Sequence, residues 1–175
     1  MQSPSRTILI GGTLGAALTA PVMAAAAPAT MDVTITIPQL KVAEYHRPYV
    51  AIWVEKAGAP AKTVAVWYDY DMKGNEGTKW LRDVRQWWRA SGRTMTFPAN
   101  GITGATRAPG AHKISFSRAQ LGATAAGDYT LVIEAAREVG GRELLRIPFT
   151  WPAKAGAGGR AAGKTELGAV TVAFR

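Results

Sequence analysis

Tyr49 to Glu55 reads YVAIWVE, and Thr63 to Tyr70 reads TVAVWYDY. Both runs are dense in β-branched and aromatic side chains, which suit the pleated surface of a sheet. Each is followed by turn-forming residues, Ala57-Gly58 after the first and Met72-Lys73-Gly74-Asn75 after the second. Further strands are expected on either side. Val33, Ile35 and Ile37 alternate with threonines, and His112 to Phe116 alternates again. Tyr129 to Ala135 and Glu143 to Phe149 flank Val139-Gly140-Gly141, a hairpin signal. Gly168 to Phe174 forms a last strand. The 19 glycines and 10 prolines favour many turns over a helical bundle. About seven short strands of this kind predict an all-β fold, an immunoglobulin-like β-sandwich. Gly127-Asp128-Tyr129-Thr130-Leu131 resembles the start of a late strand in such domains, where a tyrosine corner sits. Ala153 to Lys164 is nearly all Gly, Ala, Lys and Arg, and reads as a mobile loop.

One amphipathic helix is expected inside this series, from Lys79 to Ala90. Trp80, Leu81, Val84, Trp87 and Trp88 recur at helical spacing, so the tryptophans and Val84 should be buried. Thr78 is placed to cap its start, and Ser91-Gly92 to stop it. Arg82, Arg85 and Arg89 fall on the opposite face, as a solvated stripe or an anion-binding ridge.

The amino terminus has the order of a secretory signal. Arg6 supplies the charge, Ile8 to Ala20 the short apolar run, and Ala24 with Ala26 the small-residue cleavage pattern. The expected division is a signal peptide over residues 1–26 and one sandwich domain over 27–175. The mature chain should begin between Ala25 and Thr30, lie in the periplasm and carry no membrane span. The chain has no cysteine, which excludes disulfides, thiolate metal sites and thiol nucleophiles. Its net charge of +9 suits acidic partners such as phosphates and carboxylates. No nucleic-acid recognition motif is present, and export argues against a nucleic-acid partner.

Hydrolytic signatures are missing from the sequence: it holds neither G-x-S-x-G nor H-E-x-x-H. No metal site is expected. Asp69 and Asp71 lie two apart at a strand end, the pattern of turn capping. The six tryptophans fill a core or offer flat surfaces to a ring-bearing ligand.

The segment Asn100-Gly101-Ile102-Thr103-Gly104-Ala105-Thr106-Arg107-Ala108-Pro109-Gly110 is a loop by composition. Its core, Thr103-Gly104-Ala105-Thr106, resembles the target sequence of periplasmic flavin transferases. In those targets the last threonine carries flavin mononucleotide (FMN) through a phosphoester. The transferase takes FMN from flavin adenine dinucleotide with Mg²⁺ and releases adenosine monophosphate. The residues suit that chemistry. Thr106 has the hydroxyl that phosphoryl transfer needs, and Gly104 and Ala105 present no bulk to an enzyme gripping the backbone. Arg107 stands next to the expected phosphodiester. Asn100 occupies the position where those targets carry Asp; it loses the charge and keeps an acceptor.

A wider resemblance runs from about Asp32 to Phe174. Tyr45-His46-Arg47-Pro48-Tyr49, Lys79-Trp80-Leu81-Arg82-Asp83, Trp87-Trp88-Arg89 and Glu134-Ala135-Ala136-Arg137-Glu138 are similar to blocks of a predicted periplasmic family, a domain of unknown function. Members of that family occur near PepSY-type membrane reductases and flavin transferases. The resemblance implies a non-enzymatic electron carrier with covalent FMN at Thr106, partnered by a flavin transferase and a PepSY-type reductase and tied to iron acquisition. The alternative is a binding module for haem, a siderophore or another metal ligand, without its own cofactor. His46 would then be the contact, with Tyr45 and Tyr49 beside it.

Overall fold

The computed structural model describes residues 30–175, and the expected signal peptide lies outside them. Among the described residues, nine strands form two sheets. They are β1 (Thr30–Ile37), β2 (Tyr49–Glu55), β3 (Lys62–Trp67), β4 (Thr103–Gly104), β5 (Gly110–Ser117), β6 (Gly127–Ala136), β7 (Arg142–Trp151), β8 (Gly158–Ala162) and β9 (Ala169–Phe174). The smaller sheet has the order β5-β1-β9-β8 and the larger β4-β3-β2-β6-β7. This is the all-β sandwich expected from the alternating runs. Tyr129 Oη donates to the Ala125 carbonyl at 2.6 Å and pins the chain where β6 begins.

Residues such as Val33, Ile35, Ile52, Leu131, Ile133 and Val172 meet between the sheets. A second apolar cluster covers the other face of the larger sheet. Tyr49, Ala51, Trp53, Val66, Tyr68 and Val132 pack there against Leu81, Val84 and Trp87. Strands covered on both faces need no polar alternation, which is why YVAIWVE is almost uniformly apolar.

The helical segment is not the continuous helix that the spacing of its tryptophans predicts. A 3₁₀ segment (Lys73–Asp83), kinked by left-handed backbone at Gly74 and Asn75, is followed by a break at Val84 and by α1 (Arg85–Ala90). The break has a long-range cause. Glu134 of β6, fully buried, accepts hydrogen bonds from the backbone N–H of Gln86 at 3.1 Å and Trp87 at 2.8 Å. It thus satisfies the free donors at the start of α1, while Arg142 pairs with it at 2.7 Å. The break turns Trp80 out of register with the apolar face. Val84 and Trp87 are buried as expected, but Trp80 is 45% exposed and Trp88 half-buried. Arg82, Arg85 and Arg89 are exposed. Thr78 is no cap; its hydroxyl donates to the Asn75 carbonyl inside the 3₁₀ segment. Ser91 does end α1, and Gly92 lies under the Trp87 ring, 2.9 Å from where a Cβ would stand.

Two expected loops contain strand. Within Ala153 to Lys164, β8 pairs antiparallel with β9. A Cβ on Gly158 would stand 2.1 Å from the Val172 carbonyl oxygen, so the glycine serves close approach there. The second case is β4, which pairs parallel with β3, Val66 opposite Thr103 and Trp67 opposite Gly104. A short helix, α2 (Arg118–Leu121), is capped by Ser117 and Gln120 in a reciprocal box.

Candidate functional site

Because β4 runs parallel to β3, the residues that follow each strand leave the sheet side by side. The Tyr68 N–H donates to the Gly104 carbonyl at 2.9 Å and extends the ladder past the end of β3. Two residues beyond the Trp67–Gly104 pair stand Asp69 and Thr106. The Thr106 hydroxyl donates to Asp69 Oδ1 at 2.9 Å. Thr106 is only 8% exposed, not on the open loop its composition suggests. Asp69, expected as a turn cap, is its partner. Gly77 makes room for this corner. A Cβ there would stand 2.0 Å from the Asp69 carbonyl oxygen and 3.3 Å from Tyr49 Oη.

Thr106 and Asp69 form part of the wall of a cavity of about 330 Å³ at one end of the larger sheet. The approach to β2 contributes Tyr45, His46 and Arg47, and its first residue Tyr49. The helical segment adds Trp80 and Asp83, and Met72 lies just before it. The end of β6 and the turn after it add Ala136, Arg137 and Glu138. Three separate blocks that carry the family resemblance therefore meet Thr106 at one place.

Burial pushes the Tyr49 phenol up to about 12, and the nearby Asp69 carboxylate adds to the effect. Burial also raises the Tyr45 phenol. Both therefore stay protonated donors near neutral pH. His46 lies between two carboxylates, with Nε2 3.0 Å from Glu44 and Nδ1 3.6 Å from Glu138. The Arg137 side chain is 6% exposed and grips the buried Glu166 through Nε at 2.9 Å and Nη2 at 3.1 Å. The backbone N–H of Gly141 also donates to Glu166, at 2.9 Å. Arg137 Nη1 and Tyr45 Oη are buried and have no hydrogen-bond partner among the described residues.

Of the residues singled out from the sequence motif, Thr106 alone lines the cavity. Thr103 accepts from the Ala99 N–H at 2.9 Å and steadies the turn before β4. Gly104 passes close to Trp67; a Cβ would lie 3.2 Å from its ring. Ala105 and Asn100 are exposed. Arg107 is drawn away from the cavity and lies over the Trp67 ring, 5.3 Å from its centroid. Sequence reading overlooked Asp69, Arg137 and Tyr45 as a group. Their spacing along the chain carries no motif, and only strand register brings them together.

A family model described as predicted periplasmic protein (DUF2271) matches residues 30–169. The chain belongs to this family. Its description matches the periplasmic location expected from the sequence, while the expected signal peptide lies outside the described residues. The family is one of unknown function, so the description assigns no role to the cavity. No curated protein and no solved structure matches the chain. Among the described residues no helix is long and apolar enough to cross a membrane. No group of three or more His, Asp or Glu side chains among them is arranged to hold a metal ion.

Proposed function

We propose that this chain is a periplasmic electron carrier bearing FMN on Thr106 through a phosphoester. The observation that carries the reading is the position of the Thr106 hydroxyl. It ends the Thr-Gly-Ala-Thr motif and lies in the wall of a cavity edged by aromatic and cationic side chains. A cavity of this size falls in the range of small-molecule sites. Tyr45, Tyr49 and Trp80 suit a flat ring, and Arg137 offers an unpaired donor. The flavin would supply two-electron redox chemistry, and the protein a platform.

In the attachment step, Thr106 Oγ forms a bond to the flavin-side phosphorus of flavin adenine dinucleotide. The pyrophosphate P–O bond breaks, adenosine monophosphate leaves with the electron pair, and the hydroxyl proton passes to a base of the transferase. Mg²⁺ serves only this step. The segment must first be released, because Thr106 is buried and its hydroxyl is held by Asp69. The segment is a two-residue edge strand, so its release breaks a short ladder that includes Ile102 carbonyl to Val66 N–H and Gly104 carbonyl to Tyr68 N–H. Esterification removes the proton that Asp69 accepts, so this hydrogen bond is absent once Thr106 is modified. Asn100 at the usual acid position leaves Asp69 as the nearest carboxylate to the reacting oxygen. The carrier would pass electrons with a PepSY-type membrane reductase, in a route serving iron acquisition.

The haem- or siderophore-binding alternative draws less support. His46 does line the cavity, but both its ring nitrogens face carboxylates.

The test is co-expression with a flavin transferase from the same genome, followed by peptide mass spectrometry. The peptide holding Thr106 should gain the mass of FMN, and Thr106→Ala should abolish covalent fluorescence on a denaturing gel. Thr103→Ser should leave it nearly unchanged. An unmodified wild-type peptide, where a known target is modified, would refute the reading.

A further inference from the structure

Two polar atoms in the cavity wall have no explanation in the apo fold. Arg137 is almost wholly buried, and Glu166 fixes its guanidinium through Nε and Nη2. That leaves Nη1 buried with no acceptor among the described residues. Tyr45 Oη is likewise buried without a partner. Native proteins rarely leave such donors unpaired, so each is a donor open to an acceptor placed in the cavity. Both residues line the same cavity as Thr106. The remaining ionisable groups on the wall are His46, Arg47, Asp69, Asp83 and Glu138. His46 faces Glu44 and Glu138, and Asp69 holds Thr106, so those contacts are already made.

We propose that the cavity seats the flavin ring tethered at Thr106, with Arg137 Nη1 and Tyr45 Oη hydrogen-bonding the carbonyl-bearing edge of the ring. This rests on Thr106 being the attachment residue. The chemistry of the ring fits the two orphans. Its pyrimidine edge carries carbonyl oxygens and a ring nitrogen that accept hydrogen bonds, and its flat faces suit aromatic walls. Trp80 stands half exposed at this wall, turned there by the break at Val84. Reduction increases electron density at the edge of the ring. A fixed guanidinium there favours the reduced form, and burial strengthens the effect. Glu166 keeps that guanidinium in place and is the positioning residue, while Arg137 tunes the ring.

The experiment uses the full chain co-expressed with the transferase, as wild type, Tyr45→Phe and Arg137→Gln. Intact mass establishes attachment, and flavin fluorescence and the midpoint potential at pH 7 report on the ring. The wild-type ring should be quenched relative to free FMN. Tyr45→Phe removes a hydroxyl without a partner, so the unmodified protein should unfold at the same denaturant concentration, while the attached flavin should brighten at least twofold. Arg137→Gln should weaken the preference for the reduced ring about tenfold, a fall of about 30 mV for a two-electron couple. If Arg137→Gln does not fold, Tyr45→Phe still decides. Attachment with wild-type fluorescence and potential in every folded variant would overturn the proposal and leave the attachment reading standing. Absence of flavin mass on the wild type would overturn both.

Discussion

Replacing Trp87 with Ala should be far more costly than replacing Trp80, although the two stand seven residues apart and would share a face of a continuous helix. Trp87 is fully buried. Its ring meets Trp88 and Phe97 edge-on at centroid distances of 6.1 and 5.8 Å, and Gly92 packs against it. A buried tryptophan removes about 150–250 Å² from water. At about 25 cal/mol per Å² that is roughly 4–6 kcal/mol, of which an alanine retains a small part. Trp87 Nε1 also donates to Thr63 Oγ1 at 2.9 Å. Losing that bond adds little, because Thr63 keeps Ser91 as a partner at 2.7 Å. The expected cost is about 3–5 kcal/mol, in line with aromatic truncations in cores. Trp80 is already 45% exposed and its removal leaves no closed void, so its truncation should cost about 1–2 kcal/mol. Urea unfolding of the folded domain, followed by circular dichroism, measures both. Tryptophan fluorescence is unsuitable because the variants change the probe itself. Equal losses for the two variants would refute the break at Val84 and restore a continuous amphipathic helix.

Three further outcomes are expected. Gly77→Ala should destabilise by about 1–3 kcal/mol, because its Cβ would meet the Asp69 carbonyl at 2.0 Å, and a thermal melt should show a midpoint several degrees lower. Val139 is 81% exposed with φ of +50°, a left-handed conformation that a β-branched residue adopts poorly. Val139→Asn should therefore stabilise by about 1 kcal/mol, read as a higher urea midpoint at unchanged slope. Hydrogen bonds from Arg175, Ser115 and Lys113 hold the Asp32 carboxyl well below its ordinary value of 3.8. Below that ordinary value the unfolded chain binds the proton first. The Asp32 contribution is therefore complete above about pH 4 and lost as the pH falls further. Asp32→Asn should flatten that part of an acid titration of stability; an unchanged acid limb would count against the triple contact.

The strands were legible where alternation and turn residues supplied local signals, and each run read from Val33 to Phe174 holds a strand. Two strands carry no such pattern: β4 is only Thr103–Gly104, and β8 is spelled GGRAA, where the reason is the close approach of Gly158 to Val172. The break at Val84 was not legible, since it is imposed by Glu134, 47 residues from Trp87. Thr106 could be found from its motif, but its environment could not. The resembled motif carries its acid three residues upstream of Thr103, where this chain has Asn100. The fold brings one from 37 residues away instead. The parallel register that sets Trp67 against Gly104 carries forward by two residues on each strand, and so sets Asp69 against Thr106. The same holds for the cavity wall. Tyr49 lies opposite Ala136 in the antiparallel ladder of β2 and β6, so residues just before Tyr49 and just after Ala136 emerge together. That places Tyr45 and Arg137 on one cavity although neither predicts the other. Spacing along the chain locates a reactive hydroxyl; strand register decides which carboxylate, phenol and guanidinium surround it.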